Sequence, residues 1–318
     1  MVALLVAGLI GFLAAVQARI NGELGVQLGD GVLAAAISFG SGLLIVLAAS
    51  LAIPVGRGGL AELAKGIRNR SIPWWMLAGG AAGALTVATQ GLAVAVIGVS
   101  LFTVGVVAGQ SINGLVLDRI GYGPAGVVAV TVPRLIGGAL ALAAVVLTLS
   151  PEVLDQVPLW MLLLPFLAGV GIAWQQATNG RLRRQVGTAL TATLVNFAGG
   201  ALLLALAATV HIVMTGSQVV LPSSPWLYLG GALGVIYIFL AAALVAHTGV
   251  LLLGLGSVVG QLLGSVILDA LWPAQSSPGL VREIVVVSVA SAAVIVVAVP
   301  WRHLRGSRRR VSSAPTSR

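Results

Sequence analysis

Long, uninterrupted runs of apolar residues dominate the chain. Each run is about 20 residues long and apolar on every side, which is typical of a helix that crosses the hydrocarbon core of a bilayer. Strands of a membrane β-barrel would be about half as long and would alternate polar and apolar residues. The fold class predicted is therefore all-α, an integral membrane bundle of ten transmembrane helices. The predicted spans are 2–21, 32–53, 74–95, 98–118, 132–150, 159–178, 189–211, 226–246, 248–269 and 283–301.

Composition agrees with a membrane protein and excludes most other classes. Hydrophobic residues make up 58% of the 318 residues and charged residues 8%, with a mean hydropathy of +1.09. A soluble domain averages about 25% charged residues. The chain has no cysteine, and its three histidines are scattered, so no metal-binding set or nucleophile is visible. We expect no cofactor and no enzymatic activity.

The basic residues indicate an orientation in the membrane. With the N-terminus placed in the cytoplasm, 15 of the 17 basic residues fall on the cytoplasmic side, and only Arg19 and Arg282 fall outside. This bias is typical of multi-pass membrane proteins. It accounts for the net charge of +9 without a nucleic-acid partner. Both termini are predicted to be cytoplasmic, and residues 302–318 form a basic tail that we expect to be disordered.

Two stretches of the chain recur in its second half. At an offset of 158, residues 17–42 match residues 175–200 at 9 of 26 positions. At an offset of 151, residues 75–118 match residues 226–269, including a shared Gly-Gln pair and a shared aspartate near the end of each stretch. Identities among glutamine, asparagine, aspartate and tryptophan are not explained by low-complexity apolar sequence. The sequence therefore indicates an internal duplication.

The duplication predicts how the chain is organised. The first five-helix repeat covers residues 1–150, the second covers residues 151–301, and the basic tail follows. Because five is an odd number of spans, the second repeat would cross the membrane upside down. Inverted repeats are typical of transporters, in which two related halves alternately open a shared central site to each side.

Uncharged polar residues inside the spans are the candidates for solute binding. Gln110 and Gln261 are repeat partners near the middle of their spans, and Asn113 lies on the same helix face as Gln110. Gln17 and Gln175 form a second pair, nearer one end of their spans. Buried polar residues in a membrane face the interior or a cavity. The alternative for these residues is packing, with each amide bonded to a neighbouring helix.

Weaker candidates are Gln90, Gln176 and Asn196, whose orientation the sequence does not fix. Asn21 and Asn179, each followed by glycine, are interpreted mainly as helix caps. No acidic residue lies in the middle of a span. This absence disfavours proton-coupled export of lipophilic cations.

Charged residues at the span ends suggest a pair of gates. Asp118 is predicted to pair with Arg134 or Arg119 on the inside, and Asp269 with Arg282 on the outside. The two pairs could open alternately. The alternative is that they are ordinary solvated charges at helix ends.

The order of the short motifs resembles that of a known family. Two five-span halves are similar to the drug/metabolite transporter superfamily, and several motifs resemble its YdcZ-like branch of inner-membrane exporters over residues 4–300. The motifs are Gln17-x3-Asn21, Ser38-Phe39-x2-Gly42, Trp74-Trp75-x3-Gly79-Gly80, Gly109-Gln110 and Asp118-Arg119-x-Gly121. Members often have one five-span unit, so this chain resembles a fused pair. The resemblance implies solute export across a bacterial inner membrane.

The function predicted from the sequence is a secondary transporter, in the export direction, of small polar metabolites by alternating access. Its partners would be a small-molecule solute and the lipid bilayer. A monomer suffices because the duplication supplies both halves, and a homodimer is possible. Two alternatives stay open. A membrane scaffold or assembly subunit would have no cavity, and a lipid-carrier flippase would have a lateral opening lined by basic residues.

Overall fold

The computed structural model describes residues 2–146, 159–216 and 220–271, with six single positions at 285, 288, 289, 292, 295 and 296. Regular structure in these residues is helical. The α-helices of this part of the chain are α1 (Val2–Leu28), α2 (Gly31–Ala52), α3 (Pro54–Arg68), α4 (Gly79–Arg119), α5 (Val132–Val146), α6 (Leu159–Val186), α7 (Ala189–Thr215), α8 (Gly230–Thr248) and α9 (Val250–Leu271). Short 3-10 helices at Trp74–Leu77 and Pro225–Tyr228 precede α4 and α8.

Within the described residues, four segments are long and apolar enough to cross a membrane on their own. They are α1, α2, α7 and the segment Pro225–Thr248. The structure is therefore a helical bundle of the kind that a membrane requires, because a helix satisfies its own backbone hydrogen bonds in lipid. The end of predicted span five, nearly all of span ten, the boundary near residue 150 and the basic tail lie outside the described residues.

Two equivalent turns join α1 to α2 and α6 to α7. Gly29 and Gly187 have positive φ angles of +65° and +79°, which glycine adopts without a steric penalty. The next residue caps the following helix in each case. Asp30 accepts hydrogen bonds from two backbone N–H groups of α2, at 2.8 and 3.0 Å, and Thr188 accepts one from α7 at 3.2 Å. The turns are 158 residues apart, the offset of the sequence repeat.

Helix α4 reverses direction along its length. At a rise of about 1.5 Å per residue, a straight helix as long as α4 would extend about 60 Å. Yet Gly79, its first residue, packs against Asn179 of α6, and Tyr122, just beyond its end, is 3.0 Å from the Thr178 hydroxyl. Both ends of α4 therefore lie at the same end of α6, and the chain turns back between them. The two antiparallel parts correspond to the predicted spans 74–95 and 98–118.

The predicted helix caps at Asn21 and Asn179 are wrong. Both residues lie inside α1 and α6, which continue for about two further turns, and they are only 5% and 3% exposed. The Asn179 side chain donates to Asn196 Oδ1 at 3.1 Å, and Asn21 packs against Gly230. These contacts between helices override the local preference of Asn-Gly to end a helix.

Helix α3 was not predicted as an element. It begins at Pro54, where the missing N–H costs nothing, and ends in a turn that contains Lys65 and Arg68. Its buried positions are glycines, two of which, Gly56 and Gly59, pack against α2 and α7. Its exposed positions include the charged residues Arg57, Glu62 and Lys65, so the segment lacks the long apolar run by which the spans were found.

Two phenylalanines lie at the contact between the halves of the bundle. The rings of Phe39 in α2 and Phe197 in α7 are 5.1 Å apart, and both residues are almost fully buried. Each ring fills the space beside a glycine of the other half. A Cβ atom added to Gly42 would overlap the Phe197 ring, and one added to Gly200 would overlap the Phe39 ring. The close approach of α2 and α7 thus depends on these glycines.

The same exchange of contacts recurs elsewhere between the halves. A polar side chain from one half lies against the glycine-rich start of a helix in the other half. The matching contacts are Gly79 with Asn179 and Gly230 with Asn21, and Gly83 with Gln175 and Gly234 with Gln17. Adding 151 to the numbers of Gly79 and Gly83 gives Gly230 and Gly234. Subtracting 158 from the numbers of Asn179 and Gln175 gives Asn21 and Gln17.

Candidate functional site

A polar cavity lies between α1, α4, α6, α8 and α9. The space between its walls is about 760 Å³, its mouth included. Six glutamines line it: Gln17, Gln90, Gln110, Gln175, Gln176 and Gln261. Asn179, Tyr237, Thr86 and Ser257 supply the other polar groups of the wall. None of the lining residues that the structure describes is acidic or basic, so the cavity can hold a ligand by hydrogen bonding and packing.

The repeat pair Gln17 of α1 and Gln175 of α6 is held by hydrogen bonds within the protein. The Gln17 side chain donates to the backbone oxygen of Gly230 at 2.8 Å and accepts from the Tyr237 hydroxyl at 3.0 Å. The Gln175 side chain donates to Asn196 Oδ1 at 2.9 Å. These bonds tie α1 to α8 and α6 to α7, so both amides help to hold the wall of the cavity in place.

Three other glutamines of the cavity have side-chain atoms without a partner. They are Gln90 Oε1, Gln110 Nε2 and Gln176 Oε1. Gln110 and Gln176 are only 4% and 7% exposed. A buried polar atom left unpaired costs about 1–3 kcal/mol, and such atoms are ordinarily satisfied by water or a ligand. These amides are therefore available to a molecule in the cavity.

Of the other predicted binding residues, Gln261 lines the cavity with its repeat partner Gln110, and Asn113 does not. The Asn113 side chain instead donates to the backbone oxygen of Val170 in α6, at 2.8 Å. Asn113 does lie one helical turn from Gln110, as the spacing predicts. Its amide is therefore hydrogen-bonded to α6, a helix that is distant from Asn113 in the sequence.

Asp118 joins three elements at one end of the bundle. It is 1% exposed and accepts from Arg134 Nη1 at 2.9 Å. It also accepts from the backbone N–H groups of Val250 and Leu251, at 2.8 and 3.2 Å, which caps the start of α9. Of the two partners predicted for Asp118, the structure has Arg134. The side chain of Asp269 and the whole of Arg282 lie outside the described part of the chain.

Aromatic and basic side chains cluster at the same end of the bundle as Asp118. The Arg181 guanidinium lies 4.9 Å from the centre of the Tyr122 ring and 5.7 Å from that of Trp75. The two rings are 5.6 Å apart. Arg183 donates to the backbone oxygen of Ala243 at 2.7 Å. A cation held over aromatic faces is a stable arrangement at a membrane interface, where the rings are partly in lipid and partly in water.

A second groove opens on the outer surface between α1 and α9 and holds about 1050 Å³, open space included. The side chains lining it include Leu5, Leu9, Phe12 and Leu263. Its described lining contains no basic residue that could hold a lipid phosphate. The groove therefore differs from the lateral opening expected of a flippase.

One family model matches almost the whole chain, over residues 2–147 and 160–299. Its description is "Putative inner membrane exporter, YdcZ", within the DMT group. The chain belongs to this family. The two matched segments correspond to the two halves of the duplication, so this YdcZ-family protein consists of two repeats, as the sequence predicted.

Among the solved structures, one crystal structure matches this YdcZ-family chain with a TM-score of 0.64 at 18% sequence identity. The match covers 93% of this chain and 97% of the other. At this level of identity, the similarity concerns the fold alone. No curated protein matches the chain.

The sequence did not single out Tyr237, Thr86 or Ser257 as residues of the YdcZ-family cavity. A signal for two of them was present. The offset of 151 aligns Thr86 with Tyr237, so both halves place a hydroxyl at this position. A search of the aligned repeats for shared chemistry, rather than shared identity, would have found the pair.

Proposed function

We propose that this protein is a secondary transporter that exports small polar solutes across the inner membrane by alternating access. The observation that carries the proposal is the cavity, which is lined with uncharged amides from both halves of the duplication. Cavities between related halves are where transporters of this kind bind their substrates. The description of the family as an inner-membrane exporter agrees with this function.

In the alternating-access mechanism proposed here the two repeats are inverted, and two contacts support that arrangement. Near its C-terminal end, α1 packs against the first residue of α8, through Asn21 and Gly230. Near its C-terminal end, α6 packs against the last turns of α8, through Gly180 and Val245. These contacts are expected if α1 and α6, the first helices of the two repeats, run in opposite directions. The exchange of contacts between glycines and polar side chains agrees with a two-fold relation.

We place both termini in the cytoplasm because the positive charges gather at one end of the bundle. The ends of α3 and α6 carry several of these charges. In this orientation the Asp118–Arg134 pair lies at the cytoplasmic end and holds α4, α5 and α9 together. We propose that this pair closes the cytoplasmic side, with Asp269 and Arg282 as its counterpart on the other side.

Within the cavity, we assign Gln110 and Gln261 to the solute and Gln17 and Gln175 to its rim. All four line the cavity. Asn113 acts indirectly in this proposal, because its bond to α6 fixes the helix that carries Gln110. The amides of Gln110 and Gln261 each contain a donor and an acceptor, which suits a solute with hydroxyl or amide groups.

Transport by purified protein in liposomes tests the proposal. Vesicles are loaded with radiolabelled polar solutes, and efflux is compared with that from empty liposomes. We expect Gln110→Leu and Gln261→Leu each to reduce efflux at least tenfold. The control Gln27→Leu removes an exposed glutamine whose side chain bonds only to Glu23, and it should leave efflux unchanged.

The same vesicles distinguish the alternative functions. If no solute moves but a fluorescent lipid is scrambled between leaflets, the flippase is correct. If neither moves and the protein is folded, as judged by its thermal transition, the transport proposal is wrong and the scaffold is favoured. Equal efflux from the cavity variants and the control would contradict the assignment of the cavity as the transport site.

A further inference from the structure

The six glutamines of the cavity are of two kinds. Four form two repeat pairs. Gln90 and Gln176 are different, because the repeat offsets place Ala241 and Ala18 at their positions in the other half. The amides of these two residues therefore break the symmetry of the cavity. They are also two of the three glutamines with an unpartnered side-chain oxygen or nitrogen.

Gln90 and Gln176 also differ from the repeat pair Gln17 and Gln175 in their hydrogen bonding. Both atoms of the Gln17 amide are bonded to the protein, and the Gln175 amide donates to Asn196. A glutamine that serves only to hold helices together must have a partner on another helix. Gln90 and Gln176 lack a partner for their oxygens, and Gln110 lacks one for its nitrogen. Packing between helices does not account for these three amides.

The charge of the cavity restricts what these amides can bind. An ion that enters a site without a counter-charge loses much of its hydration and gains little in return. None of the described lining residues carries an opposite charge to offset that loss. Three amides with free donor or acceptor capacity are instead matched by a neutral solute that has several donors and acceptors of its own.

We propose that Gln90, Gln110 and Gln176 recognise the solute, and that the solute is a neutral molecule with several hydroxyl or amide groups. This proposal rests on the transport function proposed above and names the substrate class of the same cavity. The rim glutamines Gln17 and Gln175 hold the walls against which the solute packs.

The first experiment tests the charge of the solute. Purified full-length protein is titrated with compounds that differ mainly in charge, and the shift of its thermal transition is measured. The sets are glucose with gluconate and glucosamine, and nicotinamide with nicotinate, together with neutral polyols. We expect stabilisation by neutral members at millimolar concentration and at least ten times weaker apparent affinity for their charged analogues. Stabilisation by charged members alone, or by no neutral compound, would overturn the proposal.

The second experiment tests the residues, with binding and stability measured on the same samples. Gln90→Leu and Gln176→Leu should each raise the apparent Kd of a neutral solute about 3- to 10-fold, because each removes one hydrogen bond. Neither change should lower the melting temperature of the free protein, since no bond within the protein is lost. Gln176→Glu should also weaken binding of the neutral solute and improve binding of a cationic analogue.

Two matched variants separate recognition from structure. Gln17→Leu removes two hydrogen bonds within the protein and should lower the melting temperature, whereas Gln27→Leu should change neither stability nor affinity. If Gln90→Leu and Gln176→Leu lower stability as Gln17→Leu does and leave affinity unchanged, these glutamines are structural and the recognition set is wrong.

Failure of this proposal and failure of the transport function have different signatures. Neutral solutes that bind through the three glutamines but never leave liposomes would support the recognition set and overturn transport. Efflux of charged solutes with no response to neutral ones would support transport and overturn the recognition set.

Discussion

Replacing Asp118 by alanine should destabilise the protein more than any other change of a helix cap. Its carboxylate caps the first turn of α9 through two backbone N–H groups, and it pairs with Arg134, whose side chain is only 11% exposed. Loss of a cap costs about 1 kcal/mol. Removal of one partner from a buried ion pair costs about 3–5 kcal/mol, because the other charge is left without compensation. We expect Asp118→Ala to lower the free energy of unfolding by about 4 kcal/mol.

Asp30 provides a control because it caps α2 through the same number of backbone N–H groups. It too accepts from two backbone N–H groups, but its other partner, His211, lies 3.4 Å away and is 46% exposed. Asp30→Ala should therefore cost only about 1 kcal/mol, the value of the cap. The difference between the two variants, about 3 kcal/mol, measures the contribution of the buried arginine.

Reversible unfolding in mixed detergent micelles, followed by tryptophan fluorescence, provides the assay. A double-mutant cycle with Arg134→Ala isolates the pair. The double variant Asp118→Ala/Arg134→Ala should be more stable than Asp118→Ala alone, because no unpaired charge remains. If the two aspartate variants lose equal stability, or if the double variant is the least stable, the buried ion pair does not contribute as argued.

Three further predictions concern the packing and the topology. Gly231→Ala should cost about 1–3 kcal/mol, because the added Cβ would overlap α2, whereas Gly40→Ala, which faces open space, should gain about 0.5–1 kcal/mol in the same unfolding assay. Arg181→Met should lower stability by about 1 kcal/mol through the loss of its contacts with two aromatic rings, measured in low and high salt. Because the native chain lacks cysteine, single cysteines at the exposed positions Gln27 and Arg184 report sidedness. A membrane-impermeant maleimide should label Gln27→Cys from the periplasm and Arg184→Cys from the cytoplasm, and labelling of both from one side would contradict the orientation proposed here.

The long apolar runs made the bundle predictable, since a run of about 20 apolar residues in lipid has few alternatives to a helix. The duplication was predictable for a different reason, because identities among glutamine, asparagine and aspartate stand out against an apolar background. Helix α3 escaped prediction because its buried face is made of glycines. Asn21 and Asn179 were wrongly predicted to cap helices, because contacts with other helices keep both residues inside longer helices.

The cavity was harder to predict than the helices. A helix that is apolar all round has no polar stripe, so its sequence does not reveal which face looks inward. Gln110 and Asn113 illustrate the difficulty, since both lie on one face, yet only Gln110 lines the cavity. The assignment of Asn113 depends on Val170, which is 57 residues away. Gln90 and Gln176 were weaker candidates in the sequence, and only the three-dimensional contacts showed that their side-chain oxygens lack partners.

Duplication also creates a problem that bears on the proposed function. Two identical inverted halves would enclose a symmetric cavity, whereas a small solute with several hydroxyl or amide groups is in general asymmetric. Recognition therefore requires the halves to differ at the residues that touch the solute. The scaffold contacts around Phe39 and Phe197 keep their symmetry. By contrast, the positions of the other half that are equivalent to Gln90 and Gln176 are occupied by alanine. On the proposal made here, Gln90 and Gln176 supply this difference beside Gln110, whose repeat partner Gln261 also lines the cavity.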